Sequence, residues 1–218
     1  MPASNHTLAI VLGVAFCFAC STDAGELSVV VKDTRGAAVR DAVVYALPAS
    51  GKAPAARRQT VEVAQRDQQF LPYVTAVQAG TAVQFPNRDD VKHHVYSFSP
   101  AKKFELPLYA GTPAEAVVFD QPGVVTLGCN IHDWMIGYVL VVPTPWFALT
   151  GADGAARLRN LPAGAYDVEV WQPRLRQPAA RTRQRVTIGE QSSTSFQVDL
   201  KPEVRLRRSP TDSSDGYR

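Results

Sequence analysis

From Leu27 onward the chain is built of short runs in which Val and aromatic residues alternate with polar ones. LSVVVKD (27–33), DAVVYAL (41–47), TVEVAQ (60–65), YVTAVQAG (73–80), AVQFPN (82–87), HVYSF (94–98), AVVFD (116–120) and VVTLGC (124–129) follow one another, then YVLVV (138–142), AARLRNL (155–161), YDVEVW (166–171), RVTIG (185–189) and SFQVDL (195–200). Successive side chains of a strand point to opposite faces, so this alternation predicts strands with one face buried. Gly, Pro, Asn or Asp break most runs at spacings of roughly ten residues, the mark of an all-β sandwich or barrel. No stretch beyond residue 24 keeps a helical apolar period over three turns. The runs are too many for one small sandwich, and two β domains of about 100 residues or fewer each are the economical reading.

The N-terminus departs from this pattern. Leu8 to Ala19, LAIVLGVAFCFA, is uninterrupted apolar sequence followed by the polar STDAG. A bilayer span needs about 20 such residues, so the stretch reads as the apolar core of an export signal covering residues 1–24, cleaved before Gly25. MPASNHT ahead of it has no Lys or Arg, which leaves a buried strand or helix as the alternative, and Ala19-Cys20 leaves lipoprotein processing open. The expected mature chain has no transmembrane segment and works in the periplasm. Cys17 and Cys20 fall inside the leader and are not read as a redox pair.

Two breaks divide the remainder. PASGKAPAARRQ (48–59) is rich in Ala, Pro and basic residues, and VPTPW (142–146) has two prolines that do not suit a central strand. The expected units are residues 25–50 and 146–200 as parts of one outer sandwich, residues 59–143 as a central domain, and residues 201–218 as a polar, disordered tail. Trp171 to Arg218 carries twice as many Lys and Arg as Asp and Glu, whereas the preceding part is nearly neutral. Solvated charge is the expected reading of this basic end, with an acidic partner as the alternative. Aromatic residues do not interleave with it, and no nucleic-acid partner is expected.

Composition gains meaning once the leader is set aside. The chain has 3 Cys, 4 His and 2 Met; beyond residue 24 only Cys129, His93, His94, His132 and Met135 remain. An odd cysteine in an exported protein is an intermolecular bridge, a buried free thiol or a metal ligand. CNIHDWM (129–135) sets a thiol, an imidazole and a thioether three residues apart, between the runs VVTLG and GYVLVV. A loop folds such side chains toward one point, whereas a strand sends them to alternating faces. Thiolate and thioether sulfur favour copper over magnesium, calcium or manganese, and two His, one Cys and a weak Met form the blue-copper set. NRDDVKHHV (87–95) supplies the second His as His93 or His94; neighbours on a strand face opposite ways, so one of them serves. Taken singly, Cys129 is a small buried hydrophobe, His132 a satisfied loop histidine and Met135 a core filler. Phe85, Tyr96, Phe98 and Tyr138 read as core aromatics.

These segments carry a resemblance. Residues from about Asp67 to Val142 resemble a cupredoxin, and Cys-x2-His-x2-Met resembles the short ligand loop of the amicyanin type. In that family a strand ending near an Asn is followed six residues later by the first His ligand, which makes Asn87 the Asn and His93 the ligand. His94 stands where the family has Asn, so it is an altered neighbour of the site or the alternative ligand. DQQFLPYVTAVQAG and the sequence following it are also similar to cupredoxin-domain proteins labelled methylamine utilisation proteins. The resemblance implies a Greek-key sandwich and one type 1 copper ion held by His93, Cys129, His132 and Met135. Asn87 and Asn130 would stand behind these ligands, and His132 would be the electron port, ringed by Trp134 and Ile136. It further implies single-electron transfer, not an enzyme, with a redox protein such as a c-type cytochrome or a periplasmic dehydrogenase as partner. VVVKDTRGAAVRDAVVYAL (29–47) and LTGADGAARLRNLPAGAYDVEVW (149–171) resemble a carboxypeptidase regulatory-like domain, a transthyretin-like sandwich. The central domain would then be inserted into it; two consecutive domains are the alternative.

Other functions fit parts of this pattern. One is a copper-binding or delivery module without a redox partner, and another a metal-free adaptor whose outer sandwich and basic tail bind a partner. Cys with two His also suits zinc, but Met135 would then be idle and Asp133 the one candidate base.

Overall fold

A computed structural model describes residues 24–57, 59–176 and 182–203. The leader read over residues 1–24, most of the tail read over 201–218 and Arg58 of the first break lie outside them, apart from their edges. Two strands open the described chain, β1 (Gly25–Asp33) and β2 (Val43–Pro48). Ten follow: β3 (Thr60–Glu62), β4 (Ala64–Arg66), β5 (Gln69–Leu71), β6 (Val74–Gln78), β7 (Thr81–Gln84), β8 (His93–Ser99), β9 (Lys102–Tyr109), β10 (Val117–Phe119), β11 (Gly123–Cys129) and β12 (Ile136–Val142). Five close it: β13 (Phe147–Leu149), β14 (Ala155–Leu161), β15 (Gly164–Trp171), β16 (Arg183–Ile188) and β17 (Gln191–Val198). The architecture is all-β. Among the described residues no helix is long and apolar enough to cross a membrane.

The opening and closing strands pair with each other. One sheet has the order β14-β1-β17 and a second the order β13-β2-β15-β16. Alternation turns Leu27, Val29 and Val31 of β1 inward, where they meet Val44, Ala46, Leu158, Val168, Val170 and Phe196 in one buried cluster. Thr150 joins the two ends of the chain inside this unit: its hydroxyl donates to the Val39 carbonyl at 2.7 Å and accepts the Ala42 N–H at 2.9 Å.

The strands between them form their own sheets. The largest has the order β6-β12-β11-β8-β9, faced by β10-β7-β3 and the hairpin β4-β5. Phe70, Val77, Val83, Phe85, Val95, Phe119, Val125, Leu127 and Val139 fill the space between, together with Cys129 and Met135. β6 and β12 are parallel neighbours, and both are buried on two sides. The inner side of β12 carries Val139 and Val141; its outer side carries Leu140 and Val142, which pack with Val43, Val74 and Ala76 against Tyr45, Phe147 and Trp171 of the outer strands. Burial on both faces explains why YVLVV is continuously apolar while β1 alternates.

KKFELPLY, absent from the runs read as strands, forms β9. Two Lys and a Pro disguise it, and both suit an edge position. Between the pairs His93↔Tyr109 and Val95↔Leu106 the register shifts by a β-bulge, and Pro107 occupies the irregular stretch, where ladder hydrogen bonds are interrupted.

Candidate metal centre

Two side chains from neighbouring strand ends and one from a loop converge at one end of the central sheet. His93 is the first residue of β8 and Cys129 the last of β11, and Cys129 lies beside Val95 in the ladder. His132 is on the loop that returns to β12, where the Met135 N–H donates to the His132 carbonyl at 2.9 Å and closes a tight turn. Ligand atoms of His93, Cys129 and His132 all lie within 4.8 Å of one another. Cys129 Sγ is 3.9 Å from His93 Nδ1 and 3.7 Å from His132 Nδ1. Cys129 is a buried free thiol.

His94 is not part of this group. It points to the other face of β8, where its Nε2 lies 2.9 Å from Glu105 Oε1 in a contact not aligned as a hydrogen bond, and its ring stands 6.0 Å from that of Tyr96. Alternation along β8 decides this: His93 is fully buried, His94 half-buried, Val95 buried again. Met135 is 1% exposed and shares the core cluster with Cys129. Trp134 packs beside His132, with ring centres 5.3 Å apart, and Ile136 is exposed next to them. Asn130 is exposed on the loop.

Asn87 does its work one step further from the cluster. Its Nδ2 donates to the carbonyls of Val91 and Tyr109 at 2.8 and 3.0 Å, and its Oδ1 accepts the Asp89 N–H at 3.0 Å. These bonds hold the loop that leads into His93. Asp89, which sequence reasoning passed over, touches the cluster directly: its Oδ2 is 2.7 Å from His93 Nε2. Nothing in the motif separates Asp89 from Asp90, and the groups that orient Asp89 come from a hairpin more than twenty residues earlier.

The electrostatics follow from burial and these contacts. Burial alone would push the Cys129 thiol up, but interactions with His93 and with the N–H groups of His94, Ile131 and His132 outweigh it and hold the thiol below its usual range. Burial likewise opposes a charged His93, yet the thiolate of Cys129 and the carboxylate of Asp89 raise its basicity above that of a free imidazole. The Asp89 carboxyl is held low despite its burial by the Gln68 N–H, by His93 and by the Asp67 N–H. A buried thiolate needs positive partners, because an isolated buried charge is very costly. The arrangement can hold a soft cation between one thiolate and two imidazoles.

The aromatic residues divide differently from the sequence reading. Phe85 is buried in the central core, stacked at 5.5 Å on Phe104. Tyr138 lies in the cluster shared with the outer strands, 6.0 Å from the Trp171 ring. Phe98, expected in the core, is instead 75% exposed at the end of β8, with Tyr96 half-buried beside it. The strand phase that buries His93, Val95 and Ser97 necessarily turns Phe98 outward.

No known protein family matches this chain, and no curated protein does. Solved structures with partial similarity include a copper-containing nitrite reductase from Thermus scotoductus SA-01, 24% identical with a TM-score of 0.37, over 44% of this chain and 25% of that one. A purple cupredoxin from Nitrosopumilus maritimus is 24% identical with a TM-score of 0.33, over 38% of this chain and 98% of that one. An amicyanin variant in its Cu(I) form is 20% identical with a TM-score of 0.35, over 45% and 99%. The overlap thus spans a quarter of the nitrite reductase and less than half of the present chain.

Proposed function

We propose that this protein is a periplasmic electron carrier with one type 1 copper ion, held by His93, Cys129, His132 and Met135. The observation that carries the reading is the buried Cys129 thiol set within 4 Å of two imidazole Nδ1 atoms and in one core cluster with Met135. Thiolate, imidazole and thioether donors match copper and match magnesium, calcium or manganese poorly. Bound there, copper would supply a one-electron couple.

The residues of the chain divide the remaining work. Cys129 contributes a thiolate already favoured by its surroundings, and His93 a buried imidazole held from behind by Asp89. Met135, buried in the same core cluster as Cys129, would offer a weak donor. His132 and its neighbour Trp134 form the half-buried edge nearest solvent, and exposed Ile136 extends it as an apolar contact surface for a redox protein such as a c-type cytochrome or a periplasmic dehydrogenase. Were all four donors to bind the ion, no position would be left for substrate, which favours a carrier over an enzyme.

Purified protein reconstituted with Cu(II) should turn intensely blue, bleach with ascorbate and bind one copper per chain by mass spectrometry. A colourless product, or zinc retained in preference to copper, would rule the reading out. Electron exchange with a small c-type cytochrome separates a carrier from a module that only stores or delivers copper.

A further inference from the structure

We propose that Asp89 is a positioning residue that fixes His93 in the site and sets its electron affinity, and that the turn between β4 and β5 is built to hold Asp89 there. The inference rests on the copper reading and deepens it.

The turn comes first. β4 and β5 are joined by the two residues Asp67 and Gln68, with φ of 53° and 54°. Two successive left-handed residues make the tight hairpin turn whose twist matches that of paired strands. In this conformation both free N–H groups meet one carboxylate: Asp67 N–H donates to Asp89 Oδ1 at 2.6 Å and Gln68 N–H to Oδ2 at 2.9 Å. The Asp89 backbone is tied down as well, by the Asn87 side chain. A carboxylate gripped by two amides has little freedom to turn, and Oδ2, which accepts the Gln68 N–H, also lies 2.7 Å from His93 Nε2.

This decides which nitrogen of His93 carries the proton. A carboxylate only accepts, so Nε2 carries a proton, and in the neutral ring Nδ1 is left facing Cys129 with its lone pair. The outer partner of a ligating imidazole fixes tautomer and ring orientation and raises ligand basicity. A more electron-rich imidazole, backed by a negative charge, stabilises the higher oxidation state of a bound metal, so removing that charge should raise the reduction potential. The contact is sheltered: His93 is fully buried and the Asp89 side chain 12% exposed. The His94–Glu105 contact on the opposite face has its carboxylate 61% exposed, and solvent screens such a pair.

Two measurements test this, one of them without copper. In metal-free protein labelled with 15N-histidine, at a pH high enough to leave the ring neutral, His93 should appear as the Nε2–H tautomer with a slowly exchanging proton, and Asp89→Ala should abolish that protection. An Nδ1–H tautomer in the unsubstituted protein overturns the proposal whatever metal the site takes, and no variant has to fold to show it. In copper-loaded protein, Asp89→Asn should raise the reduction potential while the blue absorption persists, and Asp89→Glu should return it toward the original value. An unchanged potential in Asp89→Asn with the spectrum intact overturns the tuning role. If the unsubstituted protein takes up copper without blue colour, the electron-carrier reading fails, while the histidine measurement still decides the positioning role.

Discussion

His93 and His94 are adjacent in sequence and face opposite sides of one strand: His93 Nδ1 lies 3.9 Å from the Cys129 sulfur, whereas His94 Nε2 meets Glu105 on the outer face. His93→Ala should therefore abolish stoichiometric copper binding, with loss of the blue band. His94→Ala should leave the band and the stoichiometry intact. Absorption titration of both variants with Cu(II) is the check, and the opposite result would exchange their roles.

Tyr96 depends on its neighbour being a glycine. A Cβ on Gly128 would come within 2.8 Å of the Tyr96 ring, and the two residues are paired across β8 and β11. Gly128→Ala should cost about 1–3 kcal/mol by overpacking. Adding Tyr96→Ala should recover part of that cost in a double-mutant cycle read by urea unfolding, since the clash is with that one ring.

The stability of the metal-free protein should depend on Asp89 in a defined pH window. Its folded carboxyl lies below the ordinary value of 3.8, so its contribution is complete above that value and is lost as pH falls through the lower folded one. The difference in unfolding free energy between the unsubstituted protein and Asp89→Asn should therefore be largest near about pH 5 and shrink toward about pH 3. A constant difference across that range would count against the contact.

The outer unit has a linchpin of its own. Thr150 is 3% exposed and bonds both Ala42 and Val39. Thr150→Val keeps the shape but leaves a buried donor and a buried acceptor without a partner, at about 1–3 kcal/mol for each. Thermal unfolding should show a clear loss of stability, with any metal uptake by the folded protein unchanged.

Trp171 reports on the contact between the outer and central strands. Its ring stands 6.0 Å from that of Tyr138, in the cluster with Leu140 and Val142. Because Trp171 is only half-buried, Trp171→Ala should cost roughly 2 kcal/mol, less than truncating a fully buried Trp. If this contact couples the two cores, the variant should also broaden or split the unfolding transition.

Alternation and turn residues made the all-β class legible, because period two is a local property that each short run displays on its own. The proximity of Cys129 and His132 was legible for a similar reason: one ends a strand and the other lies three residues on in the following loop, so it needs little more than a turn. What the tertiary structure decided is phase and partnership. The residues of the HH pair left His93 and His94 open and only a family spacing favoured His93; the buried face of β8 separates them physically, and the same phase sends Phe98 into solvent although its composition suits a core. Asp89 is the clearest case. Its role depends on two amide groups in a hairpin distant in sequence, and a contact made by chain folding leaves no trace in the spacing of the residues around it.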